Sequence, residues 1–259
     1  MSEDKFCLYN VDLKYNRELA NHDDNVISNS PQIGKEHRPY IGILVMINDR
    51  QDCAPITSAK PKHNTMPKNF DYLKIYDNKK LISVINFNNM IPVCQSVVQK
   101  IDITVHKNDT PQVRNNKLLL AKELDWCQNN SDAIKKNAQK TYNAVISGNT
   151  KNSNLIKRSC NFKKLEEVLD RWVDKEIQKC NDVLKENPDL KAKLNAAAKK
   201  YEKNHNLTPF DGSSTAGERH ERRINVLKAN PELMSEYKNA VKNHTQKQTE
   251  LKPKTKHKR

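Results

Sequence analysis

The apolar positions of this chain change their period about halfway along. In the first half they come in short, β-branched or aromatic runs at residues 5–11, 40–47, 53–57, 72–76, 81–85 and 90–98. Runs of this length bounded by polar turns predict strands. Residues 40–47 are apolar without a break, as in a strand buried on both faces. A polar turn separates them from residues 53–57, which predicts a hairpin, and Asp77-Asn78 predicts a second between 72–76 and 81–85. Pro92 places the start of the 90–98 run at a sheet edge. Residues 21–38 are polar and include Pro31 and Gly34, so they predict a long loop.

In the second half the spacing becomes helical. Residues 115–128 carry Leu118, Leu119, Ala121, Leu124 and Trp126. Ser131 is suited to cap a helix running through Ile134, Ala138, Tyr142 and Val145, with Gly148 as its stop. Residues 151–160 predict a polar loop. Asn161 then caps a helix whose apolar face is Leu165, Val168, Leu169, Trp172, Val173 and Ile177. Strands first and helices afterwards argue for an α+β domain, helices around an antiparallel sheet.

The end of the chain holds a repeat. VLKENPDL at residues 183–190 recurs as VLKANPEL at 226–233. Each copy ends one helix and starts the next, with Asn as cap, Pro at the first helical position and an acid after it. Leu190, Leu194, Ala197 and Tyr201 match Leu233, Tyr237, Ala240 and His244. Two copies are too few for a solenoid and predict a paired-helix module joined by a loop at residues 209–217. Residues 1–180 are therefore expected to form one domain and 181–259 a helical extension. Its last residues, KPKTKHKR, are expected to be disordered.

Charge sharpens this picture. The net formal charge is +15, of which residues 181–259 carry +8. Such a field draws polyanions, although scattered lysines also serve solubility alone. The six cysteines include no CxxC pair, so neither a zinc knuckle nor a redox motif is signalled, and reduced thiols are expected. The N-terminal segment is polar, and the longest apolar run falls far short of the roughly 20 residues of a membrane helix. A cytoplasmic protein is expected.

The densest chemistry lies in the segment CAPITSAKPKHN, residues 53–64. Thr57, Ser58, Lys60, Lys62 and His63 bring two hydroxyls, two ammonium groups and an imidazole close together in sequence, a set suited to a phosphate. RNA carries its own nucleophile, the 2′-hydroxyl beside each phosphodiester. An enzyme using it must align that oxygen with the leaving 5′-oxygen, stabilise phosphoryl charge and move two protons. Lys60 and Arg38 suit the cationic clamp, Thr57 and Ser58 the hydrogen bonds, and His63 the proton traffic. The same residue types also suit a plain strand end and turn. Ser58 lacks the GxSxG context of a covalent nucleophile. Asp23-Asp24, a close acid pair before Asn64, lies in the predicted loop, so a metal nuclease is poorly supported. A non-catalytic RNA-binding protein and a DNA-binding regulator stay open as alternatives.

Several segments in order (HDDNV, YIGILV, APITSAKPKHN, INFNNMIPV, NNSDAIKK and CNFKKLEEV) resemble the ToxN/AbiQ family, the endoribonuclease toxins of type III toxin–antitoxin and phage-defence systems. The resemblance spans about residues 5–175. It implies a strongly bent, barrel-like antiparallel sheet with surrounding helices. It also implies cleavage without a metal or other cofactor, leaving 2′,3′-cyclic phosphate and 5′-hydroxyl ends. The implied partners are a repeated RNA antitoxin, folded as a pseudoknot and held in a ring of toxin and RNA units, and target mRNA. By this resemblance Ser58 falls at the key serine, and Thr57 and Lys60 at its flanking threonine and lysine. Arg38 stands where a basic residue precedes the buried strand. Tyr15 matches an aromatic near the site, and His63 and Asn64 lie in the shared segment. Lys62 stands where a relative has Trp, which bears on base stacking. Tyr15, Lys62 and Asn64 are thus expected to contact RNA, and the shared Met90-Ile91-Pro92 to belong to the core.

Overall fold

The alternating first half builds one antiparallel sheet. Its strands are β1 (Leu8–Val11), β2 (Tyr40–Ile47), β3 (Arg50–Ser58), β4 (Tyr72–Asp77), β5 (Lys80–Asn86), β6 (Ile91–Val93) and β7 (Val98–Lys100). The computed structural model describes residues 6–27, 40–209 and 214–250. Strand order is β4-β5-β3-β2-β1-β7, with β6 also paired to β3. The β2–β3 hairpin turns on Asn48 and Asp49, with φ of 47° and 64°. Two successive left-handed residues match the twist of the flanking strands, and Asn and Asp tolerate that conformation. Beside the hairpin, a Cβ on Gly42 would lie 2.4 Å from the Ala54 carbonyl oxygen, so only glycine lets the strands approach.

β3 is the hub. Residues 50–55 pair with β2, 51–53 also pair with β6, and 56–58 pair with β5. Pro55, with no N–H to donate, sits at the handover. The sheet stays open: β4 pairs only with β5, and β7 only with β1, among the described residues. The expected barrel-like closure is therefore not found, because no rung joins these two edges.

The helices are α1 (Leu13–Ala20), α2 (Pro61–Thr65), α3 (Pro111–Asn129), α4 (Ser131–Ile146), α5 (Ser153–Arg158), α6 (Phe162–Glu186), α7 (Pro188–Asn204), α8 (Ala216–Lys228) and α9 (Pro231–Glu250). Three were not anticipated. α1 is started by Asp12, whose carboxylate accepts from the N–H groups of Lys14 and Tyr15. α2 follows the candidate segment, and α5 occupies the expected loop at 151–160. The 90–98 run also divides: β6 pairs with β3, a 3₁₀ turn (Gln95–Val97) follows, and β7 pairs with β1. α4 is capped by Asn130, one residue earlier than expected.

The chain divides into two compact units, Met1–Leu169 and Asp170–Arg259, so the boundary falls within α6. In the sheet unit, Leu8, Ile43, Ile75, Ile85, Phe87, Met90 and Ile91 are fully or almost fully buried. Tyr142 stacks on Phe162 with ring centroids 5.4 Å apart. In the helical unit the repeat is visible as packing. Leu184, Leu190 and Leu194 of one copy meet Val226, Leu227 and Leu233 of the other in a single core. Asn187 and Asn230 donate to the Val183 and Val226 carbonyls at 2.7 and 2.6 Å, bracing the helix just ended. Lys193 pairs with Glu236 at 2.8 Å, and these residues are separated by 43 positions, the offset of the repeat. Equivalent positions that touch each other imply a local two-fold relation between the copies.

Candidate functional site

β3 delivers the candidate residues to the end of the sheet. Thr57 lies opposite Val84 and Ser58 opposite Ser83. Strand alternation turns the two hydroxyl residues to opposite faces. The Asn86 side-chain amide donates to Thr57 Oγ1 at 3.0 Å, so Thr57 is held from the β5 side. Ser58 is exposed, and its hydroxyl has no hydrogen-bond partner among the described residues. Directly across from it, Ser83 is wholly buried and donates to Glu123 of α3. Burial raises the Glu123 carboxyl, with the Ser83 bond opposing. That bond pins the strand rung carrying Ser58 to α3.

Beyond Ser58 the chain makes a tight, braced turn. The Lys60 N–H donates to His63 Nδ1 at 3.0 Å, and the His63 N–H returns a bond to the Lys60 carbonyl at 2.8 Å. Pro61 supplies the fixed φ of the first helical position. From β4, Lys74 Nζ donates to the carbonyls of Asn64 at 3.3 Å and Met66 at 2.8 Å, and the Tyr72 hydroxyl donates to the Pro67 carbonyl. The short helix, which could not stand alone in water, is thus clamped at both ends.

His63 is only 7% exposed. Burial lowers its pKa, and the nearby Lys62, Lys60 and Lys74 lower it further. Its Nδ1 already accepts a backbone N–H, so the neutral ring carries its hydrogen on Nε2 and presents a donor. Protonating Nδ1 would break the turn. Lys60, Lys62 and Asn64 are exposed around it.

The predicted residues therefore separate. Ser58, Lys60, Lys62, His63 and Asn64 share one braced segment, while Thr57 turns away to Asn86. Arg38 lies outside the described residues. Tyr15 is wholly buried, and its hydroxyl donates to the Pro92 carbonyl at 2.6 Å. It is a core side chain with no surface to offer RNA, which corrects the expectation of a contact there. Asn86, Lys74, Ser83 and Glu123 were not singled out. Asn86 stands within INFNN, but its partner is remote in sequence, and neither Lys74 nor the Ser83–Glu123 pair leaves a local signature. Elsewhere on β3, burial and the neighbouring Glu166 push Asp52 up to about 7, against Arg50 and Lys163. Among the described residues no three His, Cys, Asp or Glu side chains are grouped to hold a metal ion. None of the described helices is long and apolar enough to cross a membrane.

A family model described as the ToxN toxin of type III toxin–antitoxin systems matches residues 7–170. The chain belongs to the ToxN toxin family. Its ToxN match ends at the boundary between the two units. The endoribonuclease ToxN of Pectobacterium atrosepticum is 29% identical over 163 residues, covering 61% of this chain and 89% of the relative. That of Bacillus thuringiensis subsp. kurstaki is 28% identical over 185 residues, covering 70% of this chain and 91% of the relative. A solved structure from work on selective toxin inhibition by a non-coding RNA pseudoknot is similar at 28% identity and a TM-score of 0.55, over 65% of this chain and 98% of that one.

Proposed function

We propose that this ToxN-family chain is an endoribonuclease toxin acting in the cytoplasm on mRNA, and that a folded, repeated RNA antitoxin is both its substrate and its inhibitor. The observation that carries the reading is the family match over the whole sheet unit, with Ser58 and Lys60 presented on a braced, exposed segment. The relatives named above are endoribonucleases, and the similar solved toxin was studied for inhibition by an RNA pseudoknot. A closed assembly of alternating toxin and RNA units is the expected inhibited form.

The chemistry follows from the donor set. The 2′-oxygen gives up its proton and bonds to phosphorus as the bond to the 5′-oxygen breaks, and the 5′-oxygen takes up a proton in exchange, leaving a 2′,3′-cyclic phosphate and a 5′-hydroxyl. Charge gathers on the phosphoryl oxygens in the transition state. Lys60, with Arg38, balances that charge. The Ser58 hydroxyl holds the phosphate or the 2′-oxygen in line. Thr57 and Asn86 fix the strand end from its other face. His63 acts from its Nε2–H as a hydrogen-bond donor to the phosphate while its other nitrogen keeps the turn closed. No metal is assigned a role in this route.

Purified protein incubated with RNA in excess chelator tests the reading. Cyclic-phosphate and 5′-hydroxyl ends are expected. Intact RNA in a tight complex would replace the enzyme with a non-catalytic RNA-binding protein.

A further inference from the structure

Beside the clamped helix α2 lies a cleft of about 640 Å³ whose walls include Lys68, Phe70, Tyr72, Lys74, Tyr76 and Lys140. It shares a wall with the candidate site, because Lys74 and Tyr72 are the side chains that hold the carbonyls of residues 64, 66 and 67. Its chemistry is distinctive. Three aromatic rings and three ammonium groups line it, and no carboxylate is among the lining residues. Lys140 Nζ sits 4.5 Å from the centroid of the Phe70 ring. Lys68 and Lys140 form no ion pair with a described carboxylate. Tyr76 is 42% exposed on β4, an edge strand of the sheet.

Each feature suits a nucleotide outside a duplex. An aromatic face accepts a base by stacking, and ammonium groups at the rim draw its flanking phosphates. A base paired within a helix cannot enter such a cleft, so the occupant must be single-stranded or splayed out. We infer that this cleft receives one unstacked base of the RNA strand held at Ser58–Asn64. Tyr76, with Phe70, takes the base, while Lys140 and Lys68 take the neighbouring phosphate. The inference rests on the ribonuclease reading and deepens it, since it places a base-reading subsite next to the cut.

The test uses the full chain and a short RNA that the wild type cleaves. KM and kcat are measured for Tyr76→Ala, Tyr76→Phe and Lys140→Ala, with unfolding midpoints as a control. Loss of one stacked base is expected to raise KM about tenfold or more in Tyr76→Ala, with kcat little changed, while Tyr76→Phe stays near wild type. Lys140→Ala is expected to raise KM several-fold and to flatten its salt dependence. A substrate series with a single abasic site should weaken wild-type binding at one position, and Tyr76→Ala should be insensitive there. Wild-type KM in both alanine variants, or a Tyr76→Phe as impaired as Tyr76→Ala, overturns the subsite and leaves the ribonuclease reading standing. Should the wild type bind RNA without cutting it, the same comparison is made on Kd, and unchanged Kd again overturns the subsite. A wild type that neither cuts nor binds RNA removes both.

Discussion

The sheet unit and the helical unit lean on polar residues to different extents. The sheet unit buries several and bonds them across long sequence distances. Ser83 bonds Glu123, Arg158 pairs with Asp71 at 2.6 Å, and Tyr142 donates to Glu166 at 2.5 Å. The first ties β5 to α3, the second holds the start of β4 to α5 and the third joins α4 to α6, bracing that a site needs if its donors are to be in place before the substrate arrives. The helical unit gains most of its cohesion from one apolar stripe used twice, and the described salt bridges within it, apart from those of His220, Arg222 and His244, lie at a partly exposed surface. The contrast teaches that an apolar period carries most of a helical hairpin pair. A braced cationic segment demands non-local polar contacts.

The sharpest way to break the comparison is Lys60→Ala. Removing a transition-state cation should lower the cleavage rate by about 10²- to 10³-fold while unfolding of either unit is unchanged. The counterpart is Leu227→Ala in the helical core. It should cost about 2–5 kcal/mol in the helical unit and leave the KM and kcat of a short RNA as they were. Trp126 and Trp172, the two tryptophans, lie one in each unit, so fluorescence of single-tryptophan variants reads the two transitions separately. A comparable rate loss in both variants would erase the distinction drawn between the units.

Smaller effects come from the buried polar pairs. Ser83→Ala strips the Glu123 carboxyl of its donor and should destabilise the sheet unit by about 1–3 kcal/mol. Because Ser83 faces Ser58 across the rung, kcat should fall as well, and an unchanged kcat would show that the rung does not position the site. The pH windows differ too. The folded chain holds the Asp52 proton more tightly than the unfolded chain, with a pKa raised from 3.8 to about 7. Its stabilising contribution is therefore complete below about 4 and lost as pH rises to 7. Asp52→Asn should flatten that loss in the Trp126 signal. In the helical unit His220 is raised from 6.5 to about 9, since Cys180 and Glu176 outweigh the burial that would lower it. That contribution is present below 6.5 and lost as pH climbs through 9, in the Trp172 signal. Each shift should show as a fall of the corresponding unfolding midpoint across its own pH window.

Much of this was legible locally. The β2–β3 and β4–β5 hairpins follow from apolar runs around turn residues, and the paired VLKxNPxL segments announced the helical unit. Pieces of three to eight residues were not, because single side-chain caps and tertiary contacts define them. Asp12 starts α1, the His63–Lys60 bonds and Lys74 make α2, and two different partner strands split residues 90–98 into β6 and β7. At the site, residue type alone picked out Ser58, Lys60 and His63. The resemblance misplaced Tyr15, since an aromatic ring suits a core as well as a nucleobase. Residue type could not foresee that His63 spends one nitrogen on the backbone, or that Asn86 holds Thr57 from 29 positions away.

The most direct measurement is single-turnover cleavage of a short RNA by purified Ser58→Ala, in chelator, at a pH where His63 is neutral. A rate lowered by about 10²-fold or more, with the unfolding midpoint unchanged, is the result predicted for a hydroxyl that holds the reacting phosphate. Cleavage at the wild-type rate would contradict the assignment of the segment from Ser58 to Asn64 as the catalytic site.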